Sequence, residues 1–203
     1  MRSWTAITLI CLVPILAMPA RAQSEKEGTS PPSRQAPAAS EAEQKEELLD
    51  RLFGRLRAAA NQAEADVIEK SIWQLWMRSD SPTAELLLQQ AMKAMNAKRY
   101  DKALDILDAV IDSTPKFSEA LNKRATVYYL VGRLDQSLAD IDRVLEQEPR
   151  HFGALAGLGM IRRDRGDDRG ALEAFRQALA INPFLPKVRE SAEDLEKQLE
   201  KGI

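Results

Sequence analysis

The chain holds one cysteine and one histidine in 203 residues, Cys11 and His151. A disulfide framework and a thiolate metal site are therefore unavailable to it. A lone histidine is more often a packing or capping residue than a catalyst. Gly-rich phosphate loops, nucleophile elbows and His or Cys metal spacings are also missing. Carboxylate pairs such as Asp101 and Asp105, or Asp140 and Asp142, are what solvated helix faces look like. Basic charge is not in excess, with 29 Lys and Arg against 31 Asp and Glu. Such a surface does not favour phosphate backbones. Arg162, Arg163, Arg165 and Arg169 do fall close together, but Asp164, Asp167 and Asp168 are interleaved with them, as on a solvated helix end. The expectation is a chain that is not an enzyme, needs no cofactor or metal, and does not bind nucleic acid.

Long hydrophobic runs are scarce too. One stretch, Ala6 to Ala17, follows Arg2 and precedes Met18-Pro19 and Ala20-Arg21-Ala22. It is shorter than the roughly 20 residues that span a bilayer, and Pro14 interrupts it. The order of charge, apolar run and A-x-A site reads as a secretory signal peptide over residues 1–22, cleaved after Ala22. The expected location is periplasmic or secreted, without stable membrane insertion after cleavage. A chain trimmed there loses Cys11, which suits an oxidising compartment. Its charge becomes 27 basic against 31 acidic residues. Residues 23–42 carry Ser, Pro, Ala, Gly, Glu and Lys without a bulky apolar side chain, so a disordered linker is expected there.

What the remainder does have is a period. Pro115, Pro149 and Pro183 stand 34 residues apart. Counted from Ala84, units of 84–117, 118–151 and 152–185 align small residues at position 20 (Ala103, Ser137, Ala171) and bulky ones at position 24 (Leu107, Ile141, Phe175). Position 27 holds Val110, Val144 and Ala178. A small residue at 20 lets two helices approach, and a bulky one a turn later fills the gap on the same face. Proline at position 32 ends the second helix. At position 15, Gly132 and Gly166 suit a left-handed residue closing a first helix, whereas the first unit has Lys98.

These columns resemble the tetratricopeptide repeat family, whose units are helix, turn, helix over 34 residues. The third unit is the closest match, with Leu155, Leu158, Gly159, Ala171, Phe175, Ala178 and Pro183; Gln90 and Arg124 replace the usual leucine in the other two. The resemblance implies an all-α solenoid with three clear repeats and a concave face lined by each first helix. Positions 5, 9 and 12 project there in the family. Here they are Leu88, Met92 and Met95, then Asn122, Thr126 and Tyr129, then Ala156, Met160 and Arg163. Methionines adapt to irregular apolar partners, so a protein or peptide partner is expected. At family places that grip a C-terminal carboxylate this chain has Leu88, Met92, Lys123, Gly153 and Ala156, which argues against that mode.

Two amphipathic stretches precede the array within residues 43–82. The first places Leu48, Leu49, Leu52, Phe53 and Leu56 on one face, the second Val67, Ile68, Ile72, Leu75 and Trp76. The pair reads as a divergent repeat capping the N-terminal end, with Trp73 and Trp76 anchoring it to the first clear repeat. Residues 186–201, opened by Pro186, read as the polar helix that closes the other end. The functional expectation is an exported interaction adaptor. The alternative is a self-associating envelope protein, a homo-oligomer formed through the N-terminal pair.

Overall fold

The computed structural model describes residues 40–202. The expected signal peptide, its cleavage after Ala22 and residues 23–39 of the expected linker lie outside the described residues. Among the described residues there are nine helices and no strand. They are α1 (Glu41–Arg57), α2 (Gln62–Trp76), α3 (Pro82–Asn96), α4 (Tyr100–Ser113), α5 (Ser118–Leu130), α6 (Leu134–Gln147), α7 (Phe152–Asp164), α8 (Asp168–Ile181) and α9 (Pro186–Lys201). Helices α3 to α8 form three antiparallel pairs stacked in sequence order, so the all-α repeat solenoid expected from the period is the observed fold.

Local chemistry sets the helix ends. Ser40 and Glu43 make a reciprocal capping box that starts α1, so Glu41 and Ala42 belong to this helix and not to the linker. Asn61, Ser81 and Asp167 cap α2, α3 and α8 through their side chains, with Pro82 just inside α3. The three first helices of the repeats end alike. Lys98, Gly132 and Gly166 all take positive φ, at 54°, 76° and 76°. Their successors Arg99, Arg133 and Asp167 donate N–H to the carbonyls of Ala94, Tyr128 and Arg162. The first repeat thus keeps the left-handed turn without the glycine, against a penalty on the order of 1 kcal/mol for a side chain there. Lys98→Gly is expected to stabilise the array by about 0.5–1 kcal/mol, a rise in Tm of about 1–4 °C in a thermal melt.

The repeat columns acquire contacts. A methyl added to Gly159 would lie 2.4 Å from the Phe175 ring, so position 8 must be vacant where position 24 is aromatic. In the second repeat, Ser137 Oγ donates to the Ala125 carbonyl at 2.7 Å, which satisfies a hydroxyl buried at the close approach. At the C-terminal end Ala192 and Leu195 of α9 cover Ala171, Leu172 and Phe175.

The N-terminal pair does not stack as a fourth repeat on α3. Its buried face, Leu49, Leu52, Phe53 and Leu56 of α1 with Ala65, Ile68, Ile72, Leu75 and Trp76 of α2, joins a cluster with Phe152, Leu155 and Ala178, and no residue of α3 belongs to it. Leu48 and Val67, expected on those faces, are exposed. The main core under α3 to α8 is a second cluster. α2 runs across the turns that join successive repeats. Gln62 Nε2 donates to the Phe184 carbonyl at the α8–α9 turn (3.1 Å), and Trp76 meets Glu148 and His151 at the α6–α7 turn. Leu75 and Arg78 share with Thr114, Pro115 and Phe117 of the α4–α5 turn a cleft of about 870 Å³.

Candidate peptide-binding surface

Helices α3, α5 and α7 lie side by side, α3 against α5 and α5 against α7. The residues expected to line their common face divide into two groups. Leu88 is fully buried in the main core, and Asn122 is buried with its amide donating to Glu119 Oε2 at 3.1 Å. Neither presents a surface to a partner, which corrects their assignment as contact residues: Leu88 packs in the cluster shared with α4 and α5, and Asn122 is held inward by its bond to the buried Glu119. Met92, Met95, Tyr129 and Ala156 are half-buried, whereas Thr126, Met160 and Arg163 are exposed. Leu130, which the spacing did not single out, adds a 51% exposed apolar side chain beside Tyr129. The Tyr129 hydroxyl donates to Asp164 Oδ2 at 2.8 Å, and this bond, with partial burial, raises its pKa.

Near the N-terminal ends of α5 and α7 the surface is occupied by the chain itself. The Trp76 ring stacks on His151 with centroids 4.1 Å apart and planes 8° from parallel. Trp73 stands edge-on to His151 and Phe152. Gly153 lies beneath Trp73, and a methyl there would be 2.7 Å from Trp73 Cη2. The Lys123 ammonium lies 5.0 Å from the centroid of the Trp73 ring. The two tryptophans thus anchor the pair to the second and third repeats, not to the first.

Behind them is a buried polar group that spacing could not reveal. His151 Nδ1 accepts the Ala154 N–H at 3.1 Å and caps α7, which leaves Nε2 to donate to Glu119 Oε2 at 3.1 Å. Glu119 is fully buried, with Lys123 Nζ 2.6 Å from its other oxygen. Burial pushes this carboxyl up, but the His151 hydrogen bond and the Lys123 charge outweigh it and hold Glu119 below the usual carboxylate range. Lys123 is therefore neutralised in place, and no cation is free at that point of the face.

Arg124 fills the place where the family has leucine. Its guanidinium makes two 2.7 Å bonds to Asp140 of α6 and one to Asp108 of α4, so one side chain ties three helices together. Hydrogen bonding to Asp140 raises its already high pKa further. Asp108 and Asp140 sit at different offsets within their repeats, so they carry no periodic signal of their own.

Part of the chain, residues 123–186, matches a model described as tetratricopeptide repeat, and residues 10–138 match one described as the ARM repeat of tetratricopeptide repeat protein 21. A TPR repeat-containing protein of Rhizobium etli is 38% identical over 151 residues, which are 74% of each chain. The chain belongs to the tetratricopeptide repeat (TPR) family. A heat-shock-cognate co-chaperone of Aspergillus fumigatus is 27% identical over 99 residues, 49% of this TPR chain and 29% of its own length. Among solved structures, the Sgt2 TPR domain from Aspergillus fumigatus superposes with a TM-score of 0.57 at 24% identity, covering 60% of this chain and 82% of that domain. The first TPR domain of Spaghetti, solved with an HSP90 peptide, also gives 0.57, at 18% identity over 60% and 96% of the two chains. Both structures share the fold.

Proposed function

We infer that this TPR protein is an interaction adaptor that takes a peptide or helix of mainly apolar character along α3, α5 and α7. The observation that carries the reading is the row of half-buried Met92 and Met95 with exposed Thr126, Met160 and Arg163, which the chain's own helices leave partly open while they cover the neighbouring end of the face. Thioether side chains with free rotation suit an irregular apolar ligand, and Arg163 adds a cation at one end. Co-chaperone relatives such as the Aspergillus protein do not extend their clients to this chain. Lys123 is paired with Glu119, and Trp73 covers Gly153, so an acidic C-terminal tail finds no grip there. A face of this length buries about 800 Å² per partner at most, which fits micromolar, reversible binding. We also infer export, with the adaptor working outside the cytoplasm, from the charge, apolar run and A-x-A order of residues 1–22.

The test is photo-cross-linking in the cell envelope from Met92, Tyr129 and Met160, with mass spectrometry of the adducts. One shared heterologous protein is expected at all three positions. Met160→Glu is expected to weaken its capture at least tenfold, about 1.4 kcal/mol, with helix content by circular dichroism unchanged. Capture that survives both Met92→Glu and Met160→Glu would remove this face from the account.

A further inference from the structure

The α1–α2 pair belongs to the array by contact rather than by continuity. It is joined to α3 through residues 77–81, yet its apolar face lies in a cluster with α7, α8 and the α8–α9 turn, and α3 has no side chain in that cluster. The seam has polar contacts that discriminate as well as apolar ones. Arg150, on the α6–α7 turn, forms ion pairs with Asp50 and with Glu46 of α1 (3.0 Å for the latter), and its guanidinium lies 4.7 Å from the Phe53 ring centroid. Asn182 Nδ2 donates to Glu69 Oε2 at 2.9 Å, and Gln62 reaches the Phe184 carbonyl. The joint holds itself together separately. Ser79 N–H donates to Glu85 Oε1 at 2.7 Å, Ser79 and Ser81 bond each other, and Ser81 caps α3.

We propose that this seam exchanges between copies, so that the α1–α2 pair of one chain closes the inter-repeat turns of a second and Trp73 and Trp76 come from the partner copy. Every seam contact named above is made between the pair and the helices or turns of the second and third repeats, so a pair supplied by another copy reproduces all of them. What changes between the closed monomer and the exchanged dimer is the joint, residues 77–81, with its local contacts: Met77 against the main core and the 2.9 Å bond from Lys45 Nζ to the Arg78 carbonyl. The charges at the seam select the pair: an array with Arg150 requires acidic residues at 46 and 50, whichever chain carries them. In the monomer the short joint gives the pair an effective concentration in the millimolar range, so the closed form dominates dilute samples. Met92, Met95 and Met160 lie outside the seam cluster, so exchange and groove binding are separable.

The test uses two full-length variants with opposite charge reversals. One carries Arg150→Glu; the other carries Glu46→Lys and Asp50→Lys. Each is mismatched with itself, whether its pair docks in cis or on an identical copy, but in a mixture both seams of an exchanged heterodimer are matched. Equimolar mixing, with warming and cooling to open the seam, is expected to give the heterodimer as the main species by native mass spectrometry, at twice the 22.7 kDa chain mass. Neither variant alone is expected to form it. A third variant, lacking Ser79 and Asp80, shortens the joint and is expected to shift the otherwise native chain from monomer to dimer in light scattering. A mixture that stays as two monomers, together with a shortened chain that remains monomeric and helical, would overturn the proposal.

Discussion

Trp76→Ala is expected to free α1 and α2 from the array while α3 to α9 stay folded. Trp76 is 2% exposed and touches four rings, those of Phe53, Trp73, His151 and Phe152. Removing a buried aromatic of this size costs about 3–5 kcal/mol. The loss falls on the seam, because the pair's cluster is distinct from the core under α3. In a urea titration followed by circular dichroism, the variant is expected to show an early transition worth the 17 and 15 residues of α1 and α2, then the transition of the array. A single transition shifted as a whole would make pair and array one cooperative unit.

Arg124→Leu restores the residue the family has at that place and is nevertheless expected to be strongly destabilising. The Asp140 side chain is 4% exposed; without Arg124 its nearest cation is Arg143 at 3.7 Å. Removing one partner of a buried pair costs about 3–5 kcal/mol, and here the remaining carboxylate keeps only the longer contact to Arg143. Arg124→Leu combined with Asp140→Leu is expected to recover most of the loss, because an apolar pair of similar volume leaves no charge unmet. The cycle is read from chemical denaturation midpoints of the two single variants, the double variant and the parent. Failure of the double variant to recover would place the value of Arg124 in its bond to Asp108 or in packing against Tyr128.

The solenoid was legible because its determinants recur: a small residue, a bulky one and a proline at fixed offsets cannot agree in three units without a shared backbone. The two glycines at position 15 were equally readable. Lys98 was not, since its left-handed turn is imposed by the surrounding repeat and not by its own preference. The destination of the N-terminal pair was hidden for a different reason. Amphipathic spacing says which side of α1 and α2 is apolar but not what covers it, and the covering residues, Glu148 to Gly153 and Asn182 to Leu185, lie about 70 to 120 positions away. Glu119 and His151 stand at otherwise ordinary places, and their pairing needed the fold. The same holds for the surface: position 5 reads as groove-facing by family rule, yet Leu88 and Asn122 turn into the core.

Repeat proteins commonly lengthen by duplication, because each unit touches only its neighbours. The course of α2 removes that freedom here. A helix of 15 residues is about 22 Å long, and it is held near one end by Phe184 and near the other by Glu148. A fourth unit inserted between the second and third would carry those two anchor points apart, and α2 would have to release one of them. The pair therefore acts as a gauge that fixes the copy number of this array, and a natural insertion at that junction would have to be matched by a longer α2.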